Sequence, residues 1–234
     1  MQLFYQPELD LARPALPPDE SRHCVQVLRR QAGDAITVVD GRGTYYEAVI
    51  TEPNAKRCGF AVEQTRREAA RPFRVHLAVA PTKNLDRTEW LVEKLVEVGV
   101  DQLSFIKCTH SERKVLKTER LLKKAVAAMK QAGRATLPVI DELQSFTKFL
   151  KSPLKEQQRF IAYVGFDNSI LLKQAAQPVG SYVVLVGPEG GFSEAELDQA
   201  KQVGYHGVSL GNYRLRTETA GLVAGLTLNL INER

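Results

Sequence analysis

The sequence lacks the features that define several protein classes. Its three cysteines, Cys24, Cys58 and Cys108, are far apart and form no Cys-x-x-Cys pair, so neither a disulfide framework nor a zinc site is expected. The four histidines do not cluster, and we expect no metal. No apolar run is long enough to span a membrane, and the first residues lack the basic start and apolar core of a signal peptide. We therefore expect a cytoplasmic protein without a membrane partner.

Two glycine motifs for nucleotides are also absent. The chain has no Gly-x-x-x-x-Gly-Lys-Ser/Thr phosphate loop, and no Gly-x-Gly-x-x-Gly follows a strand. Gly41 and Gly43 lie in a hairpin context without the third glycine. These motifs bind nucleoside triphosphates and dinucleotides. Their absence disfavours both classes of ligand.

Positive charge is concentrated in one segment. The 234-residue chain has a net charge of +5, and residues 107–134 carry nine Lys or Arg against two Glu. This segment therefore holds the whole basic excess, and the remainder is slightly acidic. Such a distribution is typical of proteins that bind a phosphate backbone. A solvated helix face is the alternative, and we favour nucleic acid.

Periodicity divides the chain into two domains. Residues 1–68 have short strands, an Asp40-Gly41 hairpin signal and one helix, and Arg66–Pro72 is predicted to be a linker. From residue 73 strands alternate with helices, which predicts an α/β fold with a mostly parallel sheet and helices on both faces. The predicted strands are at about 35–40, 45–51, 59–64, 73–79, 103–107, 137–140, 159–164, 182–186 and 206–210, and the predicted helices are at about 19–30, 86–98, 118–132, 169–176, 194–203 and 217–231.

The loop after the strand at 182–186 is the most informative stretch. Leu185–Ser193 contains three glycines, a proline and the carboxylate of Glu189. Ser193 and Glu196 have the spacing of a capping box at the start of the next helix. Glycine lets the backbone approach a ligand closely, and this edge of a parallel sheet is where ligands bind. A tight turn without a ligand is the alternative, but a turn needs no carboxylate at position 189.

A second loop, Leu210–Ala220, also joins a predicted strand to a helix. Thr217 is predicted to cap the long helix, and Arg216 and Glu218 lie at its start. Taken alone, these residues are typical of a helix cap with an ion pair and do not indicate a ligand.

Together the two loops resemble the SPOUT superfamily of RNA methyltransferases, and within it the family that methylates N3 of a uridine in 16S ribosomal RNA. Gly187–Ser193 with Glu196 and Leu215–Ala220 are the most specific matches, and the resemblance covers nearly the whole chain. The other matching positions are His23, Val27–Arg29, Gly33, Asp34, Lys83, Glu89, Glu93, Lys94, Glu97–Val100, Ser111–Arg113, Gln131, Arg134 and Pro138.

The resemblance implies a fold and partners that the hydrophobic and charge patterns alone do not predict. Residues 1–68 would be a PUA-like RNA-binding β-barrel, and residues 73–234 a SPOUT methyltransferase domain with a trefoil knot, which the general rarity of knots argues against. The protein would be a homodimer acting on ribosomal RNA or the small ribosomal subunit.

The resemblance also implies the site. S-adenosylmethionine would be held by Gly187, Pro188, Glu189, Gly190, Gly191, Leu210, Gly211, Asn212, Leu215, Arg216, Thr219 and Ala220. Arg216 would stabilise the uracil anion or an adjacent phosphate, and Glu218 or Glu189 would orient it or help to remove the N3 proton. RNA would be bound by Arg22, Arg29, Arg30, Lys83, Arg113, Lys114 and Arg134.

The chain departs from the family pattern at several positions. Tyr213 and Arg214 stand where an arginine and an apolar residue are usual, Lys114 replaces a serine, and Lys130 and Ala132 flank Gln131. Two alternatives are another SPOUT specificity and a non-catalytic RNA-binding assembly factor. A Rossmann-type methyltransferase is disfavoured, since its glycine-rich loop belongs after the first strand of the domain and residues 79–83 contain no glycine.

Overall fold

The computed structural model describes residues 2–153, 155–163 and 170–233. They form two compact units, one of residues 2–70 and 126–137, the other of residues 71–125 and the described residues from 138 onward. The second segment of the first unit begins inside a helix. None of the described helices is long and apolar enough to cross a membrane.

The first unit contains a four-stranded sheet, β1-β2-β3-β4, in which β1 is parallel to β2 and the other pairs are antiparallel. A short helix, α1, continues into a π-helical turn at His23–Val27. The helix predicted at 19–30 therefore ends earlier, and β1 was not predicted. The bounds are β1 Leu3–Tyr5, α1 Pro18–Arg22, β2 Ala35–Val39, β3 Thr44–Glu52 and β4 Gly59–Arg67.

The predicted linker starts too early. Arg66 and Arg67 belong to β4, where Arg66 stacks over the ring of Tyr45 at 3.6 Å and lies 3.6 Å from the carboxylate of Glu47. These cross-strand contacts stabilise the pairing of β4 with β3 at the end of β4, so the strand extends through Arg67.

The cysteines are distant in sequence but not all in space. Cys24 and Cys58 are fully buried in the core of the first unit, and Cys108 is buried in the second. All three are free thiols. Burial, with smaller contributions from neighbours including Cys58, raises the pKa of Cys24 to about 12, so this thiol stays protonated and unreactive.

The second unit is built on a six-stranded sheet in the order β10-β8-β9-β5-β6-β7, with every neighbouring pair parallel. The predicted parallel sheet is thus confirmed. The elements from residue 71 onward are β5 Arg74–Val79, α2 Leu85–Glu97, β6 Gln102–Lys107, α3 Thr118–Gln131, β7 Val139–Ser145, α4 Phe146–Lys151, β8 Gln158–Ala162, α5 Leu172–Ala175, β9 Ser181–Val186, α6 Glu194–Gln202, β10 His206–Val208 and α7 Thr217–Leu230. Residues 126–131 of α3 belong to the first unit.

Two predicted elements extend beyond the described residues, and one observed helix was not predicted. Residue 164 of the predicted strand 159–164 and residue 169 of the predicted helix 169–176 lie outside the described residues. The helix α4 was missed. It is only six residues long, but Ser145 caps it and Phe146, Phe149 and Leu150 bury one side.

Helices cover both faces of the sheet. On one face α4 and α6 pack over Val183 and Leu185. On the other, α7 packs on the sheet and on α2, so closely that a Cβ added at Gly225 would lie 2.9 Å from Leu95. The loops after β9 and β10 leave the carboxyl ends of strands separated only by β8, where parallel sheets bind ligands.

Candidate functional site

The two glycine-containing loops enclose a cleft of about 760 Å³ in the second unit. Most residues predicted to hold the cofactor line it. Those lining residues are Gly187, Pro188, Glu189, Gly190, Gly191, Leu210, Gly211, Leu215, Arg216 and Ala220. Asn212 and Thr219 are not among the residues that line it. Tyr163, Phe192 and Leu197 add apolar surface.

The loop after β9 is held in shape at both ends. Gly191 has a φ of 73°, a conformation that favours glycine, and its N–H donates to the Pro188 carbonyl at 2.8 Å. Ser193 and Glu196 form the predicted capping box. The Glu196 carboxylate also accepts a hydrogen bond from the backbone N–H of Thr109 at 2.8 Å. This buried carboxylate therefore joins the loop to the segment after β6.

Close approach explains a second glycine of this loop. A Cβ at Gly190 would lie 2.9 Å from the Cβ of His110, which real Cβ atoms essentially never do. The His110 ring is in turn within hydrogen-bonding distance of the Gly191 carbonyl, at 3.1 Å. Gly190 is thus required by the packing of the loop against His110, in the segment after β6.

The second loop is tied to the first by two hydrogen bonds. The Thr217 hydroxyl donates to the Gly187 carbonyl at 3.1 Å, and the Arg214 guanidinium donates to the Glu189 carbonyl at 3.3 Å. The prediction that Thr217 caps α7 is wrong, because Arg216 is the N-cap residue and no side chain caps the helix. The Thr217 side chain joins the loops instead.

Glu189 and Lys83 stabilise each other's loops. The Glu189 carboxylate accepts a hydrogen bond from the backbone N–H of Lys83 at 3.0 Å. The Lys83 ammonium lies 2.8 Å from Glu112, whose hydrogen bond and charge raise the pKa of Lys83. Arg113 donates to the carbonyls of Thr82 and Lys83. Lys83 and Arg113, both predicted to bind RNA, therefore make contacts that shape the wall of the site.

The second predicted carboxylate, Glu218, is buried and is not among the cleft-lining residues. Its Oε1 lies 3.7 Å from the guanidinium of Arg87, which does line the cleft, and its Oε2 is buried without a hydrogen-bond partner in the described structure. Sequence reasoning missed Arg87. The signal was a basic residue in the first turn of the helix that follows the central strand β5.

The other residues predicted to bind RNA are divided between the units. In the first unit three arginines lie near acidic residues: Arg22 is 3.8 Å from Asp19, Arg30 is 3.9 Å from Asp34, and Arg134 is 3.7 Å from Glu68. Arg29 has a φ of 54°. Lys114, in the second unit, is exposed.

Comparisons with known proteins decide the family. The family model described as "RNA methyltransferase domain" matches residues 69–229. The chain belongs to this RNA methyltransferase family. A second model, "RNA methyltransferase PUA domain", matches residues 16–62, which confirms the predicted PUA-like domain at the amino-terminal end.

Individual RNA methyltransferases resemble the chain over almost its full length. The crystal structure of a "probable rRNA-methyltransferase" from Porphyromonas gingivalis is 40% identical with a TM-score of 0.90, and the match covers 99% of this chain and 98% of that one. A ribosomal RNA small subunit methyltransferase E from Neisseria gonorrhoeae, solved bound to S-adenosyl methionine, is 28% identical with a TM-score of 0.88 and the same coverage. The ribosomal RNA small subunit methyltransferase E of Bacillus subtilis is 29% identical, and the match covers 88% of this chain and 85% of that protein.

The capping box gives a stability prediction. We expect Glu196→Ala to lower the free energy of unfolding by about 1–3 kcal/mol, since it removes the carboxylate half of the capping box and leaves the backbone N–H groups of Ser193 and Thr109 without their acceptor. Urea unfolding measures the change. Glu194→Ala is the matched control, because Glu194 lies in the same turn but is exposed, and it should change stability little. Equal effects of the two substitutions would contradict this role of Glu196.

Proposed function

We propose that the protein transfers a methyl group from S-adenosylmethionine to N3 of a uridine in 16S ribosomal RNA. The observation that carries the proposal is the cleft of about 760 Å³ between the two loops, with Arg216 on its lining. Family membership supports RNA methylation, and the relative from Neisseria gonorrhoeae is solved with S-adenosyl methionine. The name of that relative supports the small ribosomal subunit as the source of the RNA.

The cleft suits S-adenosylmethionine. Its volume falls in the range of cofactor sites, and its lining combines glycine-rich backbone with the apolar side chains of Phe192, Leu197 and Leu215. Gly187, Gly190, Gly191 and Gly211 contribute to the lining without side chains. The bound cofactor would supply an activated methyl group on a sulfonium.

The protein's own residues must deal with the N3 proton of neutral uracil. Arg216 would stabilise the anion that its loss produces, or a neighbouring phosphate. Of the two predicted carboxylates, Glu189 is the one that lines the cleft, and we assign it to orienting the base or assisting deprotonation. Glu218 would act as a positioning residue through Arg87, which lines the cleft together with Arg214 and Arg216.

The domain assignment follows the same proposal. Residues 1–68 would be the PUA-like RNA-binding domain, and residues 73–234 the SPOUT domain with its trefoil knot. Arg22, Arg29, Arg30, Lys83, Arg113, Lys114 and Arg134 would bind RNA. Ribosomal RNA as the substrate would place the protein in the cytoplasm.

We also propose a homodimer. Leu226 and Leu230 are four residues apart on α7 and therefore lie on one side of it, and they are 39% and 55% exposed. Trp90, on the adjoining α2, is 41% exposed. Burial of these apolar side chains against a second copy would favour association.

Mapping by mass spectrometry of ribosomal RNA from a strain lacking the gene tests the function. We expect loss of one N3-methyluridine, restored by the wild-type gene. A lost methyl group at another atom or in another RNA would indicate a different SPOUT specificity. An unchanged modification profile, together with no binding of S-adenosylmethionine in calorimetry, would favour the non-catalytic assembly factor.

Arg216 gives the first functional prediction. We expect Arg216→Ala to lower kcat by about 100-fold or more, the usual cost of removing a donor to a developing anion. Arg216→Lys should recover part of the loss, because it keeps the charge. Single-turnover methylation of 16S RNA at saturating cofactor measures the rate. A variant that binds cofactor and RNA and methylates at the wild-type rate would refute the assignment.

Exposed lysines of the basic segment give the second prediction. In the part of the chain that the structure describes, no ion pair involves Lys114, Lys117 or Lys123, and all three are exposed. Their joint replacement by Ala should weaken RNA binding and lower the slope of affinity against salt by about 1 for each phosphate that the variant no longer binds.

The control for this experiment removes the same charge elsewhere. Lys151, Lys173 and Lys201 are exposed lysines on α4, α5 and α6, and replacing them together should leave the salt slope close to that of the wild type. Equal slopes for the two triple variants would argue against an RNA surface at residues 114–123.

The dimer gives the third prediction. The wild type should sediment as a dimer in analytical ultracentrifugation, and Leu226→Glu with Leu230→Glu should shift it towards the monomer, since two charges would be buried in the interface. Val203→Glu, at another partly exposed apolar side chain, should leave the dimer intact. A monomeric wild type would contradict the proposal.

A further inference from the structure

Tyr213 is the most exposed large apolar side chain among the described residues that line the cleft. It lines the cleft and is 86% exposed. Among the described residues no hydrogen bond or aromatic contact involves its side chain. A tyrosine left in solvent gains nothing for the fold from burial of its ring, so neither packing nor hydrogen bonding accounts for an aromatic residue at this position.

Hydrogen bonds anchor the loop on both sides of Tyr213. The Ser209 hydroxyl donates to the Gly211 carbonyl at 2.9 Å, and the Ser209 carbonyl accepts from the Leu172 N–H at 2.9 Å. On the other side Arg214 donates to the Glu189 carbonyl at 3.3 Å. The ring is therefore presented from an anchored loop, which reduces the entropy lost when a ligand binds to it.

Cations accompany the ring. Arg87, Arg214 and Arg216 all line the same cleft as Tyr213. An enzyme that modifies a base in RNA must take it out of its stack and replace the stacking energy that the base gives up. Aromatic faces accept unstacked bases of RNA, while arginines neutralise the flanking phosphates.

We propose that the ring of Tyr213 stacks on an unstacked nucleobase of the RNA substrate at the mouth of the cleft. This inference rests on the proposed function, which it extends by naming a residue that binds the substrate base. The cofactor is the other ligand with an aromatic base, so the experiments must separate RNA binding from cofactor binding.

The first experiment uses the wild type and three variants: Tyr213→Phe, which keeps the aromatic face, and Tyr213→Leu and Tyr213→Ala, which remove it. We expect the Leu and Ala variants to lower kcat/KM for 16S RNA by about 5- to 150-fold, the range for loss of one base–aromatic stack, and Phe to restore most of it. The affinity for S-adenosylmethionine, measured by calorimetry, should stay within about twofold. Val139→Ala, at an exposed side chain in β7, controls for a surface substitution.

The second experiment does not depend on methylation. Dissociation constants are measured for a short oligouridine and for an abasic oligomer of equal length, which has the same phosphates but no bases. The Tyr213→Ala penalty should appear with oligouridine and vanish with the abasic oligomer. An equal penalty for both oligomers, no penalty for either, or weaker cofactor binding with unchanged RNA binding would overturn the inference.

The two proposals can fail separately. A wild type that binds oligouridine through Tyr213 but transfers no methyl group to ribosomal RNA would contradict the proposed function and leave the stacking role standing. A wild type that methylates ribosomal RNA, with a Tyr213→Ala variant of equal kcat/KM, would contradict the stacking role alone.

Discussion

The hydrogen bond from the Thr217 hydroxyl to the Gly187 carbonyl joins the two loops of the cleft, and the bond from Arg214 to the Glu189 carbonyl supports it. These loops follow β9 and β10, which are not neighbours, because β8 lies between them. Thr217 is the first residue of α7, so the same contact connects the start of that helix to the loop after β9. α7 packs against α2, and the first turn of α2 carries Arg87, which faces Glu218 at 3.7 Å. The arginines at the cleft thus lie on α2, at the start of α7 and on the loop before it, and contacts between the two loops and between the two helices connect these segments.

The capping box shows how far local sequence predicts the site. Ser193 and Glu196 were predicted from a spacing of three residues and are observed. The same Glu196 also binds the N–H of Thr109, a contact across 87 residues that no local pattern contains. Thr217 shows that a local pattern can also mislead. Its position at the start of a helix predicted a cap, but its hydroxyl binds the Gly187 carbonyl of the other loop. Local hydrogen bonds are encoded by spacing, whereas long-range ones depend on which strands become neighbours.

The alternation of strands and helices predicted the parallel sheet of the second unit, because each apolar strand had to be covered on both faces. It did not predict the helix α4, whose six residues are too few for a helical period to be recognised. The identity of the ligand also did not follow from patterning. Glycine-rich loops at a sheet edge indicate a site, but the choice of S-adenosylmethionine came from resemblance to a family.

Charge counted along the sequence overstates the positive surface. Residues 107–134 carry the entire basic excess of the chain, yet Arg120 and Lys124 of this segment lie against Glu89, which is 5% exposed. Lys130 likewise lies 2.7 Å from Glu20. These cations stabilise the charged form of carboxylates whose burial would otherwise destabilise the fold. Part of their charge is therefore neutralised within the protein and is not available to a partner. The exposed lysines of the segment that have no ion pair in the described structure, such as Lys114, Lys117 and Lys123, are the ones whose full charge is available to a phosphate backbone. A basic run in a sequence therefore indicates an RNA surface only after the partners that folding brings to it are known.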